Sequence, residues 1–177
     1  MHPALNVTPV VFEKQIEWLA SNGYVAIGCR ELNSWLSSNG RIPPKSVLIT
    51  FDDGYSDICR YALPVLERRN FRETVLLVTA LVGKTNEWDE KSGWAKWPLM
   101  SEQQVHEYAA RGIEFGAHGR THADLAAICS TELESEVDGS ARDLQAIIGE
   151  LPSSFAYPYG SVNDAVRERV GEKLDWG

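Results

Sequence analysis

The chain has 177 residues, 17 Lys+Arg against 25 Asp+Glu, a formal net charge of −8, and 44% hydrophobic and 24% charged residues. That composition is ordinary for a globular protein and excludes a disordered, collagenous or coiled-coil chain; the acidic balance argues against nucleic acid as a partner, since phosphate binding needs clustered Lys and Arg. No apolar run approaches the roughly 20 residues that span a bilayer. Met1 is followed by His2 and Pro3 rather than by a basic segment and an apolar run, so no signal peptide is read.

In chain order, strands and helices alternate, which predicts a parallel α/β architecture. Thr8 to Asn22 reads as a helix, with Thr8 as N-cap, Pro9 at the first helical position, Phe12, Ile16 and Leu19 at helical spacing, and Gly23 as the stop. Tyr24 to Ile27 reads as a short strand, Arg30 to Ser38 as a helix and Gly40 to Lys45 as a turn. Ser46 to Phe51 is a continuous apolar run, expected to be one strand buried on both faces. A helix follows over Asp57 to Asn70, then a buried strand over Thr74 to Thr79, then an irregular loop from Gly83 to Leu99 that carries Trp88, Trp94 and Trp97. Ser101 and Gln104 form a capping box for a helix ending near Gly112. Ile113 to Ala117, Thr131 to Gly149, Phe155 to Tyr157 and Asn163 to Val170 read as strand, helix, strand and helix. Cys29, Cys59 and Cys129 are odd in number and form no C-x-x-C pair, so neither a disulfide framework nor a cysteine zinc site is expected.

The groups able to do chemistry follow the predicted strands. Asp52 and Asp53 follow the first long one, His118 and His122 another, and Tyr157 to Gly160 a third. In parallel α/β folds ligands sit at the carboxyl ends of strands, so residues far apart in sequence meet at one rim. Asp53 with His118 and His122 makes a two-histidine, one-carboxylate set that leaves positions open on a divalent ion. Adjacent carboxylates can divide their roles, Asp53 binding the ion and Asp52 acting as general base. Pro158 and Gly160 can hold a backbone N–H toward a developing oxyanion, and the aromatic faces of Tyr157 and Tyr159 suit a sugar ring. The Gly83–Leu99 loop exceeds the usual connection length, and Trp94 is the candidate sugar contact in it.

Thr50-Phe51-Asp52-Asp53-Gly54, His118-Gly119-Arg120-Thr121-His122 and Phe155-Ala156-Tyr157-Pro158-Tyr159-Gly160, in that order, resemble the motifs of the polysaccharide deacetylase family (NodB homology, carbohydrate esterase family 4). The resemblance runs from about Thr8 to Val170, and the Trp88-Asp89 loop and Pro98-Leu99-Met100-Ser101 resemble a bacterial subgroup of it. It implies a deformed (β/α) barrel and metal-assisted hydrolysis of N-acetyl groups on an amino-sugar polysaccharide or oligosaccharide. It further implies Asp52 as general base, Asp53, His118 and His122 as ligands of an ion, zinc first, and the Tyr159 backbone N–H as an oxyanion donor. Tyr157 and Pro158 would line the substrate.

Two departures from the family pattern stand out. Ala156 occupies the place of an Arg that orients the base Asp in many members, and no histidine follows His122 to match the late general acid. His2 and His106 fit that role badly. A complete barrel of this kind takes roughly 250 residues, so residues 1–177 are expected to form one partial domain, with the first strand absent or reduced to Met1–Val7 and a non-conforming tail over 171–177. The open edges of such a barrel are expected to invite a partner chain. The alternative to a deacetylase is a catalytically silent metal- or carbohydrate-binding remnant. A metal-dependent phosphoesterase also fits Asp and His ligands but lacks a phosphate-cradling Gly-rich loop. Location is cytoplasmic as the chain reads, or cell-envelope if a leader precedes it.

Overall fold

The computed structural model describes residues 6–38, 40–152 and 154–172. Thr8 caps helix α1 (Pro9–Ser21) through a 3.4 Å bond from Val11 N–H to its Oγ1. Phe12, Ile16 and Leu19 then pack on Val47, Ile49, Phe51, Val65, Leu66 and Phe71. β1 (Val25–Ile27), α2 (Cys29–Ser37), β2 (Ser46–Leu48) and β3 (Thr50–Phe51) follow. β1 and β2 pair in parallel, Ile27 opposite Leu48. β3 begins a second parallel sheet with β4 (Thr74–Leu77) and β5 (Glu114–Ala117), in the order β3-β4-β5.

The run Ser46–Phe51 is therefore two short strands in two sheets, not one strand buried on both faces. Val47, Ile49 and Phe51 pack beneath α1, whereas Leu48, 38% exposed, and Thr50 line an open groove beside that helix. The apolar composition of the run reported its hydrophobicity correctly but not that only alternate residues are covered. The expected helix Asp57–Asn70 is likewise two, α3 (Ile58–Tyr61) and α4 (Leu63–Arg68), broken at Ala62 because Pro64 has no N–H to continue the ladder.

β4 is buried along its whole length, as its apolar sequence predicts, but the strand expected over Thr74–Thr79 stops at Leu77, and Thr79–Leu81 turn as a 3-10 helix. α5 (Glu102–Ala110) starts on the predicted box, with Ser101 N–H to Gln104 Oε1 at 2.9 Å and Gln104 N–H to Ser101 Oγ at 3.2 Å. α6 (Ser130–Ile148) runs on to Gly149 and sends Leu133, Val137, Ala141 and Leu144 into the core. Each of these leucine and valine side chains contributes about 1.5–3 kcal/mol of burial. Val75, Leu77 and Phe115 fill the core against Met100, Val105, Tyr108 and Leu144. Phe155 makes one parallel bridge to Ala117 rather than a strand, because Pro152 and Pro158 bound the segment and cannot donate to a ladder. α7 (Asp164–Gly171), capped by Asn163, closes the described chain. Asn6 and Val7 carry no strand, and the remainder of the expected Met1–Val7 strand, His2 and tail residues 173–177 lie outside the described residues. Among these, no helix is long and apolar enough to cross a membrane.

At the amino-terminal end of β4, Glu73 is 5% exposed, and burial, helped by nearby Glu67, pushes its carboxyl up to about 7. Arg111 opposes the shift but is itself engaged by Glu67 at 2.6 Å. A folded-state pKa above the ordinary carboxylate value means that folding favours the protonated acid. The penalty is absent at low pH and complete above pH 7, so stability falls as pH rises through 4.5 to 7. Glu73→Gln is expected to raise stability by roughly 2 kcal/mol at pH 8, with the gain vanishing near pH 4.5. Urea unfolding of both proteins at the two pH values measures this, and an equal gain at both would refute it.

Candidate active site

The site is assembled where β3, β4 and β5 end. After Phe51 the chain passes exposed Asp52 and turns sharply through Asp53 (φ 70°) and Gly54 (φ 76°). A Cβ on Gly54 would lie 2.4 Å from Leu77 Cδ2, so the turn needs both the positive φ and the missing side chain. Beyond β5, His118 N–H still bonds to Leu77 O at 2.8 Å. The chain then leaves the sheet through Gly119 (φ 71°) and reaches His122 (φ 65°), a compact loop rather than a helical turn.

This brings Asp53, His118 and His122 together. Asp53 Oδ1 lies 3.4 Å from His118 Nε2 and 3.3 Å from His122 Nε2, and the three donor atoms fall within 4.8 Å of one another. Both imidazoles are buried. His118 Nδ1 donates to Ala156 O at 2.9 Å, since a carbonyl only accepts, and this leaves the Nε2 lone pair facing Asp53. Burial of His118, and after it the neighbouring His122, lower its pKa against the opposing pull of the Ala156 bond, Asp53 and Asp52, so the ring is held neutral, as a ligand must be. Two donors about 2.0–2.2 Å from a tetrahedral ion are about 3.4 Å apart. The two Asp–His separations match that figure, so the donor set fits a divalent ion.

His122 is packed on both sides. Trp88 stacks on it at 4.5 Å and 20°, and Tyr159 meets it edge-on at 4.6 Å. Its Nδ1 is buried without a hydrogen-bond partner among the described residues. The Trp88 loop is folded around Asn86, fully buried, which donates to Asp89 at 2.7 Å and accepts from Trp97 N–H at 2.6 Å. Tyr55 adds a ring 6.4 Å from Trp88, and burial with Asp53 and Asp89 nearby pushes its phenol far up.

The other sequence-predicted residues are distributed around this cluster. Asp52 is close enough for its charge to act on His118, yet no hydrogen bond or ion pair holds it among the described residues, consistent with Ala156 at the place of the orienting Arg. Pro158 is buried against Gly119, Tyr157 packs on Phe155, and Tyr159 is 64% exposed with φ 59°. The bonds of that turn come from Gly160 and Ser161 N–H, outside which stands Tyr159 N–H. Trp94 is a half-exposed indole of its loop, whereas Trp88 is the one stacked on the cluster. His106 is exposed on α5 beside Glu102. Trp88, Tyr55, Asn86 and Glu136, described below, were not among the predicted site residues.

A parallel α/β fold with acids and imidazoles at its strand ends defines a class of hydrolase-like barrels, and sequence comparison makes it specific. The polysaccharide deacetylase profile matches residues 39–173, and the chain belongs to that family. A poly-β-1,6-N-acetyl-D-glucosamine N-deacetylase of Staphylococcus epidermidis is 30% identical over 171 residues, covering 90% of this chain and 55% of the relative. The Streptococcus pyogenes deacetylase PplD, solved in complex with acetate, superposes with a TM-score of 0.83 at 24% identity, over 100% of this chain and 77% of that one. A polysaccharide deacetylase of Bacillus cereus does so with a TM-score of 0.75 at 28% identity, over 95% and 49%. The fold is thus an incomplete form of the deformed (β/α) barrel of these enzymes, its described strands lying in two open parallel sheets of two and three strands, and the chain spans about half the length of the curated relatives it matches.

If an ion sits between Asp53 and the histidines, it lies beside the Trp88 indole. Cobalt(II) is expected to quench a large share of the tryptophan fluorescence, and Trp88→Phe to remove most of that quenching. Trp18→Phe, at the exposed α1 indole tilted against Tyr24, should leave it. Titration of the three proteins checks the geometry.

Proposed function

We propose that this domain removes N-acetyl groups by hydrolysis from an amino-sugar polysaccharide, with a divalent ion, zinc first, bound by Asp53, His118 and His122. The observation that carries the reading is the convergence of Asp53, His118 and His122, with His118 aimed by its bond to Ala156 O, at the strand ends of a chain belonging to this family. The named activity of the staphylococcal relative makes β-1,6-linked N-acetylglucosamine the first polymer to try. An ion held there supplies Lewis acidity and lowers the pKa of water.

The chain's own residues then have separate tasks. Asp52, exposed beside His118, accepts the proton of the attacking water. Tyr159 N–H, in a turn fixed by Pro158, is the donor to the developing oxyanion. Tyr157, Pro158 and Trp94 line the substrate, joined by Trp88. The products are acetate and a free amine on the sugar.

A second reading, a domain that binds metal and carbohydrate without turnover, has one observation in its favour: among the described residues no hydrogen bond or ion pair orients Asp52, and Ala156 stands where an arginine would do so. Acetate release from β-1,6-linked N-acetylglucosamine oligomers separates the two. With zinc, the parent protein is expected to release acetate, and Asp52→Asn to be slower by about 10²–10⁴. Zinc near 100 times its dissociation constant should raise the stability of both by about 2.7 kcal/mol. Asp53→Ala should lose the activity and the stabilisation together. A folded, zinc-stabilised parent that releases no acetate would establish the silent reading.

A further inference from the structure

The loop that carries His122 is held from behind by the buried polar side of α6. Glu136, 6% exposed, accepts from Arg120 N–H at 2.7 Å, Thr121 N–H at 2.9 Å and Thr121 Oγ1–H at 2.7 Å. The same loop is gripped on its carbonyls: Thr79 N–H bonds to Gly119 O at 3.3 Å and Ala80 N–H to Arg120 O at 2.9 Å. Two turns along α6, Asp143 takes the Arg120 Nε–H at 2.8 Å and the Thr79 hydroxyl at 3.0 Å. Gly139 lies between them, and a Cβ there would come within 2.8 Å of Arg120 Cδ. Residues 136, 139 and 143 share one helix face. A residue that costs a mid-helix propensity penalty thus clears the path of the arginine.

We propose that Glu136 is a positioning residue: its carboxylate fills the nest of N–H groups made by Arg120 and Thr121 and so sets His122 in its left-handed, ion-ready conformation before any ion arrives. The inference rests on the metal-binding reading above and adds to it the residue that holds the histidine loop. Consecutive N–H groups beside a left-handed residue form a concavity that prefers an anion. Gln in place of Glu136 would offer the two N–H groups a neutral oxygen in place of a charged one, while its NH2 could donate to the Thr121 hydroxyl, so the substitution removes the charge and keeps the shape. Non-glycine residues at positive φ persist only where the surroundings over-determine them. His122 is such a residue, and Trp88, Tyr159 and the Glu136 clamp surround its loop.

The test compares the parent, Glu136→Gln, and Glu134→Gln as a control. Glu134 lies on the same helix but is exposed and paired with Arg169. Zinc affinity is measured by chelator competition, and the Trp88 fluorescence component of the metal-free proteins by difference against the same chains carrying Trp88→Phe. Glu136→Gln should weaken zinc binding 10- to 100-fold and alter the metal-free Trp88 component, while the control changes neither. Thr121→Val, at an exposed position, removes one of the three bonds without burying a charge and should weaken zinc several-fold. It replaces Glu136→Gln should that variant not fold. Unchanged affinity and an unchanged Trp88 component in the Glu136 or Thr121 variant would overturn the inference. Should the parent bind no zinc, the metal reading fails, and the Trp88 component alone decides for or against the clamp.

Discussion

The parallel register of three strands is the constraint on which the site depends. Phe51 stands opposite Val75, Val75 opposite Phe115, and Leu77 opposite Ala117. Two residues past Phe51, Asp53 therefore reaches the level of Leu77 and Ala117, one residue below His118. A one-residue slip of β3 would move Asp53 up or down a pleat and turn its neighbours to the opposite face. The slip is prevented from both sides. Phe51 is packed beneath α1 and against the Val75–Phe115 core, and Gly54 fits against Leu77 where no Cβ could. The core residues that fix the register are thereby the residues that bring a carboxylate and an imidazole to one height.

The register supplies height, and hydrogen bonds supply aim. His118 is on the sheet by its N–H to Leu77 O, and its ring is turned by the bond to Ala156 O. The segment holding Ala156 is in turn tied to β5 by Ala117 N–H to Ser154 O and Ala156 N–H to Ala117 O. A segment too proline-bound to make a strand still makes the two bonds that matter for the imidazole. His122 has no such strand contact, and it is placed by rings and by the loop behind it.

Much of this was legible in the chain itself. Thr8-Pro9, Ser101 with Gln104, and the Thr74–Leu77 run each carry a local signal strong enough to fix an element, and each appears where expected. The convergence of Asp53, His118 and His122 follows from their placement after two apolar runs, Ser46–Phe51 and Ile113–Ala117. The errors came from effects that do not act locally. Ser46–Phe51 looks buried throughout because composition cannot say whether a second layer covers both faces. Trp88, Trp94 and Trp97 are alike as letters, and only Asn86, buried and bonded within the loop, selects which indole reaches His122. Glu136 reads as one of several acids on an amphipathic helix, and its role exists only because the His118–His122 loop presents N–H groups to it. A faint signal was available: Gly139 in mid-helix, flanked at one-turn spacing by Glu136 and Asp143, marks a face kept low for something to cross.

Charge gives the same site its remaining logic. Asp52, Asp53 and Asp89 surround the histidines and the Tyr55–Tyr159 rings, and Asp124 adds to the field at Tyr159. Among the described residues none of these four is ion-paired with Lys or Arg, and the arginine of the histidine loop is turned away onto Asp143. In a partly buried rim this excess of negative charge is costly unless a cation shares it. Surface pairs elsewhere, such as Arg68 with Glu13, balance their charges locally and contribute little either way. The imbalance is concentrated where the donor atoms converge, and a divalent cation is the species that would offset it. The same field opposes an anionic ligand at this rim and accepts a neutral one.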